Sequence, residues 1–578
     1  MKVGRQRPGS VTMQNLFSRL APYLVTIIEA VLVIATVALI FFSSRKAAIP
    51  RQPVVFIRLE RAAARLARRK RLSVVLVGLS VIAVRVALIP ILGIPQPYNH
   101  DEFSYLLAAD TFAHGRLTNP THPMWIHFES FHIIEKPTYM SIYPPAEGLV
   151  LATGKLLGHP WIGQLLVTAL TCSVLCWMLQ GWLPPAWALF GAALAVLRLG
   201  ILSYWMNGYW SASIVALGGA LVLGAWPRLR KHLRVRDSLL MALGLVILAN
   251  SRPYEGLLFA IPVAFAMLFW LLGKNRPAFA QSVPRVIVPI FCSLLIGAIA
   301  TGYYCYRVTG SPFRMAYQVN YAAYGWTPYF LWQTPAHSVY HHQVMRDFYR
   351  LDFSDFEGQL TVAGYLRSAA TRAYSWWQFY LGPLLTLPLL AFPWVIRQKK
   401  MRLPLAICLA MIAGFTVQTW NSPHYFSPAT GALYILLVQC MRQLWHWRRG
   451  SSVVTRALVR AIPLLACAMI LLRVTAAAVH VQIELAWPRG NLERARILHQ
   501  LQSLPGKQLV IVAYGPRHDL AGEWVYNEAD IDAAKVVWAR DMGDAGNAEL
   551  LSYFNGRSIW RVHGDASPPR LELYEASP

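Results

Sequence analysis

The sequence predicts a mainly α fold: a polytopic membrane bundle of about eleven or twelve helices with a small α/β domain at its C-terminal end. Three observations predict it. Of 578 residues, 56% are hydrophobic and only 14% charged, with a mean hydropathy of +0.39, where soluble domains carry roughly 25% charged residues. Many apolar runs reach the length of about 18–20 residues that crosses a bilayer. The formal charge of +27, from 54 Lys+Arg against 27 Asp+Glu, gathers in short connections between those runs. In a soluble protein that excess would point to nucleic acid; here it is the positive-inside signature of membrane topology.

Residues 1–71 form an N-terminal region. A polar, basic start is followed by an apolar segment at 23–42 that buries Glu29. No small-residue cleavage site follows it, which argues against a removable signal peptide. This segment reads either as a twelfth crossing or as a half-inserted helix. Residues 43–71 hold ten Lys or Arg and one acid, Glu60, and read as cytoplasmic. Within them Val55, Phe56, Leu59, Ala62, Ala63 and Leu66 recur at helical spacing, as in a basic amphipathic helix lying on anionic lipid.

Residues 72–480 read as the transmembrane domain. The run 72–94, with Arg85 inside it, leaves the cytoplasm and delivers an outer segment, 95–160, with a short helix expected over 102–114. Further runs lie near 161–181, 186–204, 207–226, 237–251, 253–273 and 286–306. A second outer segment spans 307–374, and runs near 376–396, 402–418, 425–444 and 461–480 complete the domain. Counting crossings makes 182–185, 227–236, 274–285, 397–402 and 445–460 the inner connections. Four of these are clearly basic, and the first is too short to decide.

The same count places 481–578 outside. That tail carries ten Lys/Arg against thirteen Asp/Glu, the reverse of the inner connections. Its pattern predicts helices at 492–504 and 547–554 and strands at 509–514, 536–539 and 558–562, a small extracytoplasmic α/β unit. The expected location is therefore a bacterial-type inner or plasma membrane, multi-pass, with the site and tail outside. All seven cysteines fall in or at the ends of apolar runs, so neither a disulfide framework nor a metal–thiolate site is expected.

The chemistry-bearing stretch is Tyr98-Asn99-His100-Asp101-Glu102-Phe103, directly after the first outward run. Carboxylates at a helix exit stay charged at little cost and can face a lipid-borne substrate. One of them can take the proton of an acceptor hydroxyl; a plainer role for Asp101 is to cap the helix that begins there. Arg85, the string HDEFSYLLAADTFAHGRL and the string YPPAEGLVLATGKLLGHPWIGQLLVTAL resemble the GT-C superfamily of membrane glycosyltransferases. Within it they are most similar to the branch of the protein O-mannosyltransferases and lipid A aminoarabinose transferases. The likeness is best over 72–310 and rests on helix pattern alone over 370–480. It departs in the outer loop rich in His122, Trp125, His127, Phe128 and His132, and in the tail.

The resemblance implies a GT-C bundle, a sugar donor on polyprenyl phosphate, inversion at the anomeric carbon and no obligatory metal; a divalent metal has no support in the sequence. It implies Asp101 as base or acceptor-orienting group with Glu102 as its neighbour. The acceptor would be a glycolipid, a polysaccharide or a protein. Independently, a phosphate leaving group calls for a cation. Arg252, Lys136 and His424 are the candidates, with Tyr143 of the Tyr143-Pro144-Pro145 segment beside them. Arg252 has a plainer reading, an ion pair with Glu255; Lys136 and His424 read equally as solvated interfacial residues. Arg85 and Arg198 inside apolar runs need partners, Arg85 by snorkelling outward. Aromatics such as those from Tyr321 to Trp332 could stack on sugar rings, though a membrane belt accounts for most. His518, Asp519, Glu523, Asp530 and Asp532 in the tail fit no strong metal pattern and read as solvated.

Two other classes remain as alternatives. A transporter or flippase would show internal repeats and broken helices at midplane, and no repeat is visible. An interaction protein displaying the tail would not need so many crossings. No Walker or Rossmann fingerprint occurs, and no nucleic-acid partner is expected.

Overall fold

The computed structural model describes residues 13–46, 54–274, 276–336, 338–447, 452–481, 483, 490–516 and 518–574. The basic start at 1–12, residues 47–53 of the basic connection, and 448–451 and 484–489 lie outside the described residues. Among the described residues, seven helices are long and apolar enough to cross a membrane: Tyr23–Ser44, Pro160–Trp182, Ala212–His232, Pro253–Leu272, Phe279–Thr309, Val362–Val395 and Val453–Ala478. Lys70–Ala87, Pro185–Ala195, Val235–Ala249, Arg402–Phe415 and Thr430–Trp445 are shorter or less apolar and stand among them. The chain is an integral, multi-pass membrane protein. The expected eleven or twelve helices correspond to both sets together. Helices such as Thr430–Trp445 are buried on nearly every side, so protein rather than lipid sets their length.

The first helix bears on the open reading of 23–42 through its partners. It packs along the broken segment after residue 374: Tyr23 lies 5.9 Å from Tyr374, and Thr26 Oγ1 accepts from Gln378 Nε2 at 2.8 Å. Glu29 Oε1 accepts the Leu384 N–H at 3.0 Å. Successive contacts in one direction make the two segments parallel, as in a full crossing. Glu29 also pairs with Arg198 at 3.4 Å, so each buried charge answers the other. Gly382 sits beside them at φ +58°, and a Cβ there would stand 2.8 Å from both side chains. Glycine is required both by the backbone and by the ion pair.

Arg85 does not snorkel. It is 1% exposed, donates to Asn207 Oδ1 at 2.9 Å and to the Gly93 carbonyl at 2.8 Å, and lies over Trp161. Of these, Asn207 comes from the loop at 201–211, which the apolar pattern divides between the runs 186–204 and 207–226. The helix starts at Ala212 and continues to His232. The amphipathic helix is present as Val54–Arg68, with Val54, Val55 and Leu59 exposed and Glu60 paired to Arg460 at 2.7 Å.

The tail is an α/β unit. Its strands lie in the order Val536–Arg540, Gln508–Ala513, Ser558–His563, Arg570–Leu573; the first three are parallel and the last antiparallel. Leu492–Ser503 and Gly543–Tyr553 are its helices. The fourth strand escaped the sequence reading because Arg-Leu-Glu-Leu is short and mostly exposed. The tail also shares a core with the first outer segment. Phe103, Leu107 and Phe128 pack with Leu509, Ile511 and Leu550, and Phe103 stacks on Tyr526 at 4.2 Å. Glu523, expected to be solvated, is fully buried and paired with Arg540 at 2.9 Å. Asp519 accepts from the Tyr98 hydroxyl at 3.1 Å, and Asp532 meets His122 at 3.2 Å.

Candidate functional site

The helix that presents Asp101 runs His100–Ala113. It begins there because Asn99 is its N-cap and Glu102 closes a capping box. Glu102 Oε2 accepts the Tyr98 and Asn99 N–H groups at 3.0 and 3.1 Å, and its Oε1 accepts the Tyr209 N–H at 2.9 Å. Glu102 is thus 5% exposed and spent on backbone donors. It ties the helix start to the 201–211 loop and does not line the cavity described below. The catalytic part expected of it is replaced by an anchoring one. Asp101 is not the cap, so its carboxylate is left for another use.

That use is visible in its partners. Asp101 Oδ1 lies 2.6 Å from His132 Nδ1 and accepts the Tyr143 hydroxyl. Tyr143 in turn lies 3.3 Å from His132 Nδ1. Burial pushes the Asp101 carboxyl up, but the His132 charge and the hydrogen bonds from His132 and Tyr143 outweigh it and hold it below the usual carboxylate range. For His132, burial lowers the pKa, and the Asp101 charge and hydrogen bond more than reverse it. Each member of the pair favours the charged form of the other.

His132 adopts φ +57°, the left-handed region. A non-glycine residue there costs about 1–2 kcal/mol. Its carbonyl accepts Ser104 Oγ at 2.6 Å and the Ile142 N–H at 3.3 Å. These bonds hold the turn that delivers the ring to Asp101.

Asp101, His132 and Tyr143 line a cavity of about 850 Å³. Arg252 lines it as well, from the junction between Val235–Ala249 and Pro253–Leu272. Its guanidinium lies 4.3 Å from the Tyr425 ring and 3.4 Å from Glu255, so the expected local ion pair is present. The pair leaves its buried Nε without an acceptor among the described residues. Burial opposes the Arg252 charge, but the neighbouring Tyr105, Glu255 and Tyr425 hold it firmly protonated.

The other two cation candidates lie elsewhere. Lys136 is exposed, with its ammonium 4.0 Å from the Trp125 ring, and it does not line the cavity. His424 is 2% exposed, with Nδ1 3.2 Å from the Tyr204 hydroxyl and its ring against Trp210 and Tyr425. Burial and the Arg252 charge push its pKa well below the usual imidazole range, which disfavours the cationic form. Sequence reasoning had named His132 only as one member of a His-rich loop, and it had missed Asp352.

Asp352 also lines the cavity, from the helix Gln343–Gln359. That helix buries Met345, Tyr349, Phe356 and Gln359. Asp352 falls on the same stripe, and an acid at a core-facing position was the available signal. The wall is tied to the first outer segment through Glu129, which accepts the Tyr324 hydroxyl at 2.5 Å and meets His341 at 2.9 Å.

Fold and site define a multi-pass membrane protein whose helical bundle carries a cavity lined by Asp101, His132, Tyr143, Arg252 and Asp352 among aromatic side chains. No family model and no curated protein matches the chain. Among solved structures it is similar to the Archaeoglobus fulgidus oligosaccharyltransferase in complex with Zn and sulfate. That match covers 85% of this chain and 68% of the other at 11% identity, with a TM-score of 0.49. ArnT from Cupriavidus metallidurans bound to undecaprenyl phosphate matches over 86% of this chain and 96% of its own at 14% identity, with a TM-score of 0.44.

Proposed function

We propose that the chain is a membrane glycosyltransferase that moves a sugar from a polyprenyl-phosphate donor to a hydroxyl of an acceptor, in a GT-C-like arrangement on the extracytoplasmic side. The observation that carries this reading is that Asp101 and Arg252 line one cavity. Arg252 supplies a fixed guanidinium for a phosphate whose negative charge grows as the glycosidic bond breaks. Asp101 supplies a carboxylate held ionised by His132 and Tyr143, fit to orient the acceptor hydroxyl and to stabilise positive charge at the anomeric carbon. Attack from the face opposite the phosphate inverts that carbon. No step requires a metal or a nucleotide sugar.

Purified protein supplied with the tritium-labelled polyprenyl-phosphate sugars of its own cells, and with an envelope extract, tests this. The expected result is label in the acceptor fraction with wild type and a loss of at least about 100-fold with Asp101→Asn. Normal transfer by that variant, or no transfer by wild type, overturns the reading.

A further inference from the structure

The cavity holds a second carboxylate, Asp352, that the donor chemistry does not use. We infer that Asp352 is the group that takes the acceptor's proton, and that the acceptor is a neutral saccharide seated between Asp352 and an aromatic wall. This rests on the glycosyl-transfer reading above and names the base and the acceptor class within it.

The first support is the division of labour between the two acids. Asp101 Oδ1 already accepts from both His132 and Tyr143, and a carboxylate paired in this way is a weak proton acceptor. Asp352 lines the same cavity. Among the described residues, the one side-chain hydrogen bond it receives is from Trp420 Nε1, to Oδ1 at 3.1 Å. The groups acting on it are His132 and Asp101 from the first outer segment, Asp355 on its own helix and the Trp420 indole. Burial raises its carboxyl to about 6, the Trp420 bond and the His132 charge acting against that shift. It is therefore ionised at neutral pH and more basic than Asp101.

The second support is the character of the wall around it. Tyr317, Tyr321, Tyr329, Phe348 and Trp420 line the same cavity as Asp352, together with the amides of Asn320, Gln333 and Asn421. Flat aromatic faces and neutral amides suit the C–H faces and hydroxyls of a sugar ring. Among the described residues lining the cavity, Arg252 is the one Lys or Arg. It is already engaged by Glu255 and by the donor phosphate of the reading above. His132 is held by Asp101. A phosphorylated lipid headgroup would bring anions without cations to meet them.

The step balances within these groups. The acceptor O–H proton passes to the Asp352 carboxylate as the oxygen forms its bond to the anomeric carbon. The bond from that carbon to the phosphate oxygen breaks, and its electron pair leaves with the polyprenyl phosphate. Asp352 then returns the proton to water.

The test uses the full-length protein, the same labelled donor pool, and envelope fractions separated into saccharide, lipid and protein. Wild type is expected to label the saccharide fraction, with an acid limb in its rate profile near pH 6. Asp352→Asn should lower kcat by at least 100-fold, change acceptor KM less than threefold and abolish that limb. Its binding of undecaprenyl phosphate, measured by calorimetry, should match wild type and so show an intact fold. Trp420→Phe should move the limb to higher pH, because a hydrogen bond to the ionised form is lost. A normal rate and limb in Asp352→Asn overturns the base assignment. Label confined to lipid or protein overturns the acceptor class. No labelling by wild type instead defeats the parent reading.

Discussion

Arg252 and Asp101 are brought to one cavity by two unrelated elements, the junction ahead of Pro253–Leu272 and the helix His100–Ala113. Neither helix terminus alone makes a site. Each supplies one charge: one stands among Tyr105, Tyr143 and Tyr425, the other is clasped by His132.

Arg252→Lys should therefore fail almost as fully as Arg252→Ala. A lysine cannot lie flat on Tyr425 and face Glu255 while presenting a second N–H edge. Transfer is expected to fall by about 100-fold or more in both, with weaker undecaprenyl phosphate binding by calorimetry. A lysine variant with near-normal binding would contradict a planar role for the guanidinium.

The Asp101–His132 pair makes stability depend on pH in a defined window. His132 has its pKa raised by folding, so its contribution is complete below the unfolded value of about 6.5 and is lost as pH rises through the folded value. Asp101 has its pKa lowered, so its contribution is present above about 3.9 and is lost as pH falls through the folded value. The Tm difference between wild type and His132→Gln should be widest between those limits and narrow on either side. A difference independent of pH would show that packing, not charge, is lost.

Glu102→Gln should act on the fold rather than on the chemistry. The amide can accept through only one oxygen where the carboxylate accepts three backbone N–H groups through two. A loss of about 1–3 kcal/mol is expected, read as a lower Tm in detergent with rate per folded molecule unchanged. A normal Tm with a lost rate would return Glu102 to the chemistry.

Glu129 couples the first outer segment to the wall that bears Asp352. Glu129→Gln weakens its bonds to Tyr324 and His341, and a charged hydrogen bond contributes about 1.5–3 kcal/mol. Acceptor KM should rise by about tenfold with undecaprenyl phosphate binding unchanged. Equal weakening of both would place the effect in the whole fold.

The parallel packing of Tyr23–Ser44 on the segment after Tyr374 predicts that Tyr23 and Tyr374 share one side of the membrane. Single cysteines at these two positions, with the native cysteines replaced, should react with an impermeant thiol reagent from the same face. Labelling from opposite faces would overturn the crossing. Positive-inside counting opposed this topology, but the buried Glu29–Arg198 pair favours it. Leaving either charge alone at membrane depth costs at least about 2.5 kcal/mol.

What the sequence determined by itself was whatever local pattern controls. Apolar runs set the helices and basic connections their order. Short apolar runs set three of the tail strands, and Asn99 with Glu102 three residues on set the start of the Asp101 helix. Asp101, Tyr143 and Arg252 were legible because an ionisable or polar group beside a membrane helix needs a reason. Only the tertiary structure decided which of them meet. It spent Glu102 on backbone donors, laid Lys136 on Trp125, buried His424 where its cation is disfavoured and brought His132 and Asp352 into the cavity. It also joined the tail to the first outer segment through Phe103 and Tyr526. Helical and strand periodicity is a property of neighbours in the chain. The partner that holds a charge or a ring is chosen by packing between segments far apart in it, and no local pattern records that choice.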